Sequence, residues 1–226
     1  MRQSQTALMT DHDLVRYYAQ RAGEYEKIYA KPERQHDLAI AARWLQSELA
    51  QRNVLEIGCG TGYWTKSLSA TAKAILATDR NPEVLAIARA KQYPNSNITF
   101  ALTDMRALPV ANNFCEAIFG GFIWSHLPLQ HLDDTLAGWH RLLANSGKMV
   151  FIDNVYVEGS SSPLTGRDEF GNTYQTRTLQ DGSQHRIIKN FPQREFIYEN
   201  LSSYAKNLKL TWLKYFWLLA YEIARV

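Results

Sequence analysis

Val54-Leu55-Glu56-Ile57-Gly58-Cys59-Gly60-Thr61-Gly62 is the stretch whose reading decides the fold. A short, largely apolar run leads into three glycines at alternate positions, and Tyr63 to Ala70 continues with helical spacing. Strand, glycine loop and helix in that order open a βαβ unit.

The chain downstream keeps the same rhythm. Strands are expected at Ala74 to Thr78, Ile98 to Leu102, Cys115 to Gly120 and Met149 to Asn154, the last after Gly147. Helices are expected over Pro82 to Gln92, with Asn81 as its cap, and over Leu129 to Leu143. Such alternation implies a parallel sheet with helices on both faces. Upstream, Asp13 to Tyr29 and the stretch opened by Pro32 have helical spacing, with Gly23 a weak point in the first. Near the end, two short runs flank Gln180-Asp181-Gly182-Ser183, a hairpin signal because Asp-Gly readily adopts positive φ. Phe191 to Leu208 reads as helix. Thr211 to Phe216 and Leu218 to Ile223 read as strands, with a terminal helix as the alternative.

The expected ligand site lies at the carboxyl ends of the parallel strands, starting from the glycine loop. Gly58-x-Gly60-x-Gly62 brings its third glycine one residue too early for the dinucleotide pattern GxGxxG. Glu56, just before the loop, would repel a pyrophosphate and suit a ligand carrying ammonium and sulfonium charges. The string from Val54 to Gly62 resembles the first signature of class I S-adenosylmethionine-dependent methyltransferases, of the small-molecule type with a type 11/25-like domain. The resemblance runs from about Asn53 to Asn154 and more loosely through both flanks. It implies a Rossmann-like α/β fold: a seven-stranded, mostly parallel mixed sheet whose last strand is antiparallel, with a hairpin insertion after the fifth strand. It also implies S-adenosylmethionine as cofactor and S-adenosylhomocysteine as product.

What the resemblance implies can be carried over residue by residue. Gly58, Cys59, Gly60 and Gly62, with Glu56, would form the cofactor loop. The Asp79 carboxylate would accept hydrogen bonds from the ribose hydroxyls, or else serve as a helix cap. Arg80 departs from the frequent apolar neighbour of adenine, though a guanidinium can stack on the ring. Asp104 would accept from the adenine amino group, or act only as a turn residue, and the Met105 N–H would meet a ring nitrogen. Backbone around Gly120 and Phe122 would receive the methionine ammonium. Tyr17, Arg21 and Tyr25 resemble a lid helix that reaches the methionine carboxylate; aromatics at this spacing also suit plain core packing.

For the acceptor, His126 and Asp153 are the candidate bases, His126 because imidazole titrates near neutrality. Trp124, Tyr156, Tyr174 and Phe191 are candidates for an apolar acceptor cavity, and His140 for a solvated helix position. The net charge of +3 with scattered cations, and the absence of an Asn/Asp-Pro-Pro-Tyr/Phe segment after the fourth strand, favour a small-molecule acceptor over nucleic acid. An RNA or protein methyltransferase, or a non-catalytic S-adenosylmethionine-binding module, are the rival readings.

The remaining expectations concern organisation. With 226 residues, 46% of them hydrophobic, the chain suits one methyltransferase domain. It would divide into a helical lid (1–50), a cofactor core (51–154), an acceptor-side insertion (155–190) and a closing helix and strands (191–226). Cys59 and Cys115 suit reduced thiols and a cytoplasmic enzyme, with no signal peptide at the polar start. No metal is expected, since the six histidines show no HxxxH or CxxC spacing. Leu208 to Ile223 is broken by Lys209, Lys214 and Glu222, so no membrane span is expected. A monomer or a homodimer is expected.

Overall fold

The computed structural model describes residues 11–223. The expected polar start, residues 1–10, lies outside the described residues. Strands β1 (Asn53–Ile57), β2 (Ala74–Asp79), β3 (Ile98–Leu102), β4 (Cys115–Gly121) and β5 (Leu143–Asn154) pair in parallel. Two more, β9 (Ala205–Trp212) and β10 (Phe216–Ile223), complete a seven-stranded sheet in the order β3-β2-β1-β4-β5-β10-β9. The last strand, β10, runs antiparallel between β5 and β9.

Burial explains why β10 lies inside the sheet and β9 at its edge. Phe216, Leu218 and Ala220 of β10 join one core cluster, and Trp217, Leu219 and Tyr221 join the cluster on the opposite face. A strand apolar on both faces needs cover on both sides. β9 instead alternates and carries Lys206 and Lys209, charges that suit an edge. On one face the core is completed by α2 (Gln35–Leu49), through Leu38, Leu45 and Leu49, and by α3 (Tyr63–Ser69), through Trp64 and Leu68. On the other, α5 (Leu132–His140) contributes Leu136 and Trp139 over Phe151.

Several boundaries differ from the sequence expectation, each for a physical reason. The first helix, α1 (Asp11–Arg21), passes into 3-10 turns over Ala22–Tyr29 beside Gly23. α4 (Pro82–Ala90) begins after Asn81, whose side chain makes no cap hydrogen bond; its carbonyl accepts from the Leu85 N–H instead. The expected helix from Phe191 to Leu208 reduces to α6 (Arg194–Leu201), and Ala205 to Leu208 belong to β9. A β-bulge explains the misreading. The register shifts between Ala220 and Glu222, and Asn207 has a φ of 52°. The extra residue sets Ala205 and Leu208 three apart, a spacing that imitates a helix face within a strand. β5 starts at Leu143, earlier than expected, because a register shift near its start accommodates the turn at Ser146 and Gly147.

After β5 the chain forms β6 (Gly166–Arg167), β7 (Thr173–Thr178) and β8 (Gln184–Ile188), a separate three-stranded antiparallel sheet. Its hairpin turn has Gly182 at φ 81°, as Asp-Gly implied. The sheet packs under α1, where Tyr17 clusters with Leu179 and Ile187. Among the described residues no helix is long and apolar enough to cross a membrane.

Phe151 is fully buried at the centre of this packing, against Trp124 and Trp139. Phe151→Ala is expected to lower the free energy of unfolding by about 3–5 kcal/mol in urea denaturation. A loss under about 1 kcal/mol would mean that the sheet does not depend on this layer.

Candidate functional site

Strand order reverses between β1 and β4, so the loops leaving these two strands diverge and open a crevice. The glycine loop forms its floor. Gly58 and Gly62 have φ of 63° and 79°, a region other residues rarely adopt, and Cβ atoms there would collide with Ile123 and the Tyr93 hydroxyl. Two bonds tie the loop to β2: Cys59 N–H donates to the Thr78 carbonyl at 2.9 Å, and Gly60 N–H donates to Asp79 Oδ2 at 2.9 Å. Asp79 Oδ1 accepts from the Asn81 N–H at 2.9 Å. Burial raises the Asp79 carboxyl above its usual range, opposed by these N–H donors. Each carboxylate oxygen keeps a further lone pair.

Above the loop lies a cavity of about 240 Å³. Gly58, Gly60 and Asp79 line one side, Arg80 and Met105 another, and Gly121 and Phe122 the end of β4. Gly121 and Phe122 bring main chain to the wall; Phe122 has a φ of 61° and its N–H donates to the Ile152 carbonyl at 2.7 Å. The Trp139 indole fixes the far side by donating to the Met105 carbonyl at 2.8 Å.

A smaller cavity of about 90 Å³ adjoins it, and the two share Tyr18, Tyr25, Phe122 and His126. His126 is half-buried, with Nδ1 2.7 Å from the Ile188 carbonyl and Nε2 2.7 Å from the Tyr18 hydroxyl. A carbonyl can only accept, so Nδ1 carries the proton and Nε2 accepts from Tyr18. Burial, followed by the Lys189 ammonium, pushes the imidazole down to about 3, so it stays neutral. Asp153 lies beneath, accepting from the Ser125 N–H at 2.8 Å and the Ser125 hydroxyl at 2.9 Å, and facing Lys189 at 3.4 Å. Burial alone would raise Asp153, but Lys189 and the Ser125 and Asn154 N–H groups together hold it below the usual carboxylate range. Two buried asparagines lock the insertion onto this wall: Asn172 accepts from the Leu129 N–H at 2.7 Å, and Asn190 donates to the Leu127 carbonyl at 2.9 Å.

A model of the methyltransferase-domain family matches residues 54–147. The DhpI–SAH complex superposes with a TM-score of 0.77 at 25% identity, covering 95% of this chain and 99% of that one. The chain carries a class I S-adenosylmethionine-dependent methyltransferase domain. An uncharacterized methyltransferase of Bacillus cytotoxicus is 31% identical over 106 residues, 47% of this chain. The chain spans about half of that relative's length, 49%. Another, of Bacillus mycoides, is 29% identical over 148 residues, 66% of this chain and 68% of the relative. The fold is also that of the N-methyltransferase NodS from Bradyrhizobium japonicum bound to S-adenosylhomocysteine, with a TM-score of 0.60 at 17% identity, covering 86% and 89% of the two chains.

Within this methyltransferase domain, Tyr25, Gly58, Gly60, Asp79, Arg80, Met105 and Phe122 line the larger cavity, as the sequence placed them. Others lie elsewhere. Glu56 is buried below the loop and accepts from Thr65 at 2.7 Å rather than facing a ligand. Cys59 is buried, Gly62 packs on α4, and Gly120 faces Phe151 inside the sheet. Asp104 holds Arg106 at 2.9 Å, which keeps its carboxyl below the usual range, and is off the cavity wall. Tyr17 packs on the insertion, while Arg21 reaches the smaller cavity.

Of the aromatics considered for the acceptor side, only Phe191 lines the smaller cavity. Trp124 is core, Tyr156 is exposed, and Tyr174 is covered by Arg186. His140, expected in solvent, is half-buried and bonds the Tyr221 hydroxyl at 2.8 Å. Tyr18 and Gly121, within the lid-helix and β4-end stretches, line the larger cavity, and so do Asn81 and Ile123, which were missed as site residues. The neighbours of each in the sequence were singled out, so the signal was local and lacked only the side-chain direction.

Two titrations test this electrostatic reading. Burial raises Glu56 to about 8, so between about pH 5 and 8 the native state holds a proton that the unfolded chain releases. Stability should therefore fall across that interval in the wild type, and Glu56→Gln should flatten the fall in urea denaturation; parallel curves would contradict it. His126 should show the Nδ1–H tautomer in ring 15N spectra and no titration from about pH 5 to 8, where a free imidazole would titrate near 6.5.

Proposed function

We propose that this chain is an S-adenosylmethionine-dependent methyltransferase that acts on a small-molecule acceptor by direct in-line transfer. The observation that carries the reading is the larger cavity, whose floor is a glycine loop clamped to Asp79. The cavity fits the donor: Gly58 and Gly60 bring side-chain-free backbone to its floor, and Asp79 offers free lone pairs to a diol. When bound there, S-adenosylmethionine supplies an activated methyl group and departs as S-adenosylhomocysteine. We assign Asp79 to the ribose and Arg80 with Met105 to the adenine. Backbone at Gly121 and Phe122 would receive the ammonium, and Tyr25 would flank the methionine end.

The shared wall would present the acceptor to the methyl group. Tyr18 is held by His126, so its hydroxyl lone pairs point to a fixed place, and that wall sets the line of attack. His126 is a weak base at this depth, and Asp153 has its oxygens engaged. Both act as positioning residues in this reading. The insertion and the N-terminal helices would form the acceptor side of one domain, and the two buried free thiols suit a cytoplasmic enzyme.

The test is to incubate the protein with methyl-labelled S-adenosylmethionine and a cell extract, then sort the label into metabolite, protein and RNA fractions. Label should appear among metabolites. Label confined to RNA or protein would contradict the acceptor class, and no transfer alongside tight cofactor binding would point to a non-catalytic binding module.

A further inference from the structure

The smaller cavity is unusually cationic. Arg21, Lys31, Arg34, Arg177 and Lys189 all line it, and no aspartate or glutamate does. The five come from two distant parts of the chain, so they form no single solvated face. Lys189 is matched by Asp153 beneath it. Among the described residues, the other four have no carboxylate partner in an ion pair. Arg21 donates to the Tyr17 hydroxyl at 2.6 Å, and Lys31 to the Ser160 carbonyl at 2.8 Å. Arg34 is nearly buried, with Nη2 3.0 Å from the Ser160 hydroxyl. Arg177 reaches Ser162 and Gln175, but its Nε is buried without a partner.

Gathering like charges away from water destabilises the fold unless something compensates. Lys31 and Arg34 are both lowered, first by burial and further by the charge of Arg177, against the opposing pull of the Glu33 carboxylate, which accepts from the Ser160 hydroxyl at 3.0 Å and does not line the cavity. The neutral groups beside them also keep donors to spare. The Ser161 hydroxyl oxygen accepts from the Val157 N–H, and that of Ser162 accepts from Arg177, which leaves both O–H groups to donate. Guanidinium, ammonium and hydroxyl donors around a cavity of about 90 Å³ suit a small oxyanion.

We propose that this cavity is the anion subsite of the methyl acceptor, a small molecule bearing a phosphate-type or carboxylate oxyanion held by Lys31, Arg34 and Arg177 with the Ser161 and Ser162 hydroxyls. The rest of that molecule extends to the wall of Tyr18, Tyr25, Phe122 and His126, which faces the donor cavity. The proposal rests on reading the larger cavity as the methyl-donor site. The anchored anion would set the distance from head group to reacting atom.

The experiment is calorimetric titration of inorganic phosphate and of acetate into the protein, free and saturated with S-adenosylhomocysteine, at ionic strength fixed with sodium chloride. Wild type, Lys31→Met and Arg177→Met are compared. At least one anion should bind at a single site with a dissociation constant below about 10 mM. Each variant should weaken that binding at least tenfold and leave the affinity for S-adenosylhomocysteine unchanged. Phosphate binding alone would identify a tetrahedral group, and acetate binding alone a carboxylate. Normal S-adenosylhomocysteine affinity without anion binding, or anion binding equal in all three proteins, would overturn the subsite and leave the donor site standing. Failure to bind S-adenosylhomocysteine would instead sink the donor reading, and the titrations of the free protein would still decide the subsite.

Discussion

The Gly60 N–H donates to Asp79, and most of the site depends on that bond. It joins the loop after β1 to the end of β2, the two segments that must stay in register for a crevice to exist. The bond fixes a loop whose glycines all have positive φ, and it uses only part of the carboxylate. A half-buried carboxylate with N–H donors on one side and open lone pairs on the other is a directed acceptor. Behind it, Glu56 adds a fully buried carboxyl that holds Thr65 of α3, so the helix is tied to the strand below the loop. The floor is therefore set from two directions before any ligand arrives.

The two cavities are electrostatically unlike. The larger has Asp79 with Arg80 and Arg106 on its wall and a mostly apolar surround; the smaller is ringed by guanidinium and ammonium groups with no carboxylate on its wall. Between them stands a wall of two tyrosines, a phenylalanine and a neutral histidine. Keeping His126 neutral has a structural benefit, because an imidazolium there would add to the positive charge from Lys189 and Arg177. It also fixes the tautomer, so the Tyr18 hydroxyl donates in one direction. The insertion after β5 matters for the same reason: the Ile188 carbonyl on β8 sets the histidine ring, and Asn172 and Asn190 hold the insertion in place.

Much of the fold was legible because its signals are local. The alternation from Val54 onward specified the parallel strands, and the glycines declared the loop between the first strand and its helix. Asp-Gly declared the hairpin. The β9 bulge was not legible, since Ala205 and Leu208 fall three apart in a helix and in a bulged strand alike. At the site, Asp79 could be read from its place at a strand end. Tyr17 and Tyr18 could not be told apart, because adjacent helical residues point about 100° apart and only the docking of α1 decides which faces the cavity. Glu56 was misdirected for a similar reason: β1 is covered on both faces, so its acidic residue points into a helix. The cationic cavity was hidden most deeply, since residues 21–34 meet residues 160–189 only through tertiary packing.

The most direct test of the account is a competitive equilibrium titration of S-adenosylmethionine and NAD against the same protein. The clamped glycine loop and Asp79 predict micromolar binding of S-adenosylmethionine, displaced by S-adenosylhomocysteine and unaffected by NAD. Tight binding of NAD with no binding of S-adenosylmethionine would contradict it.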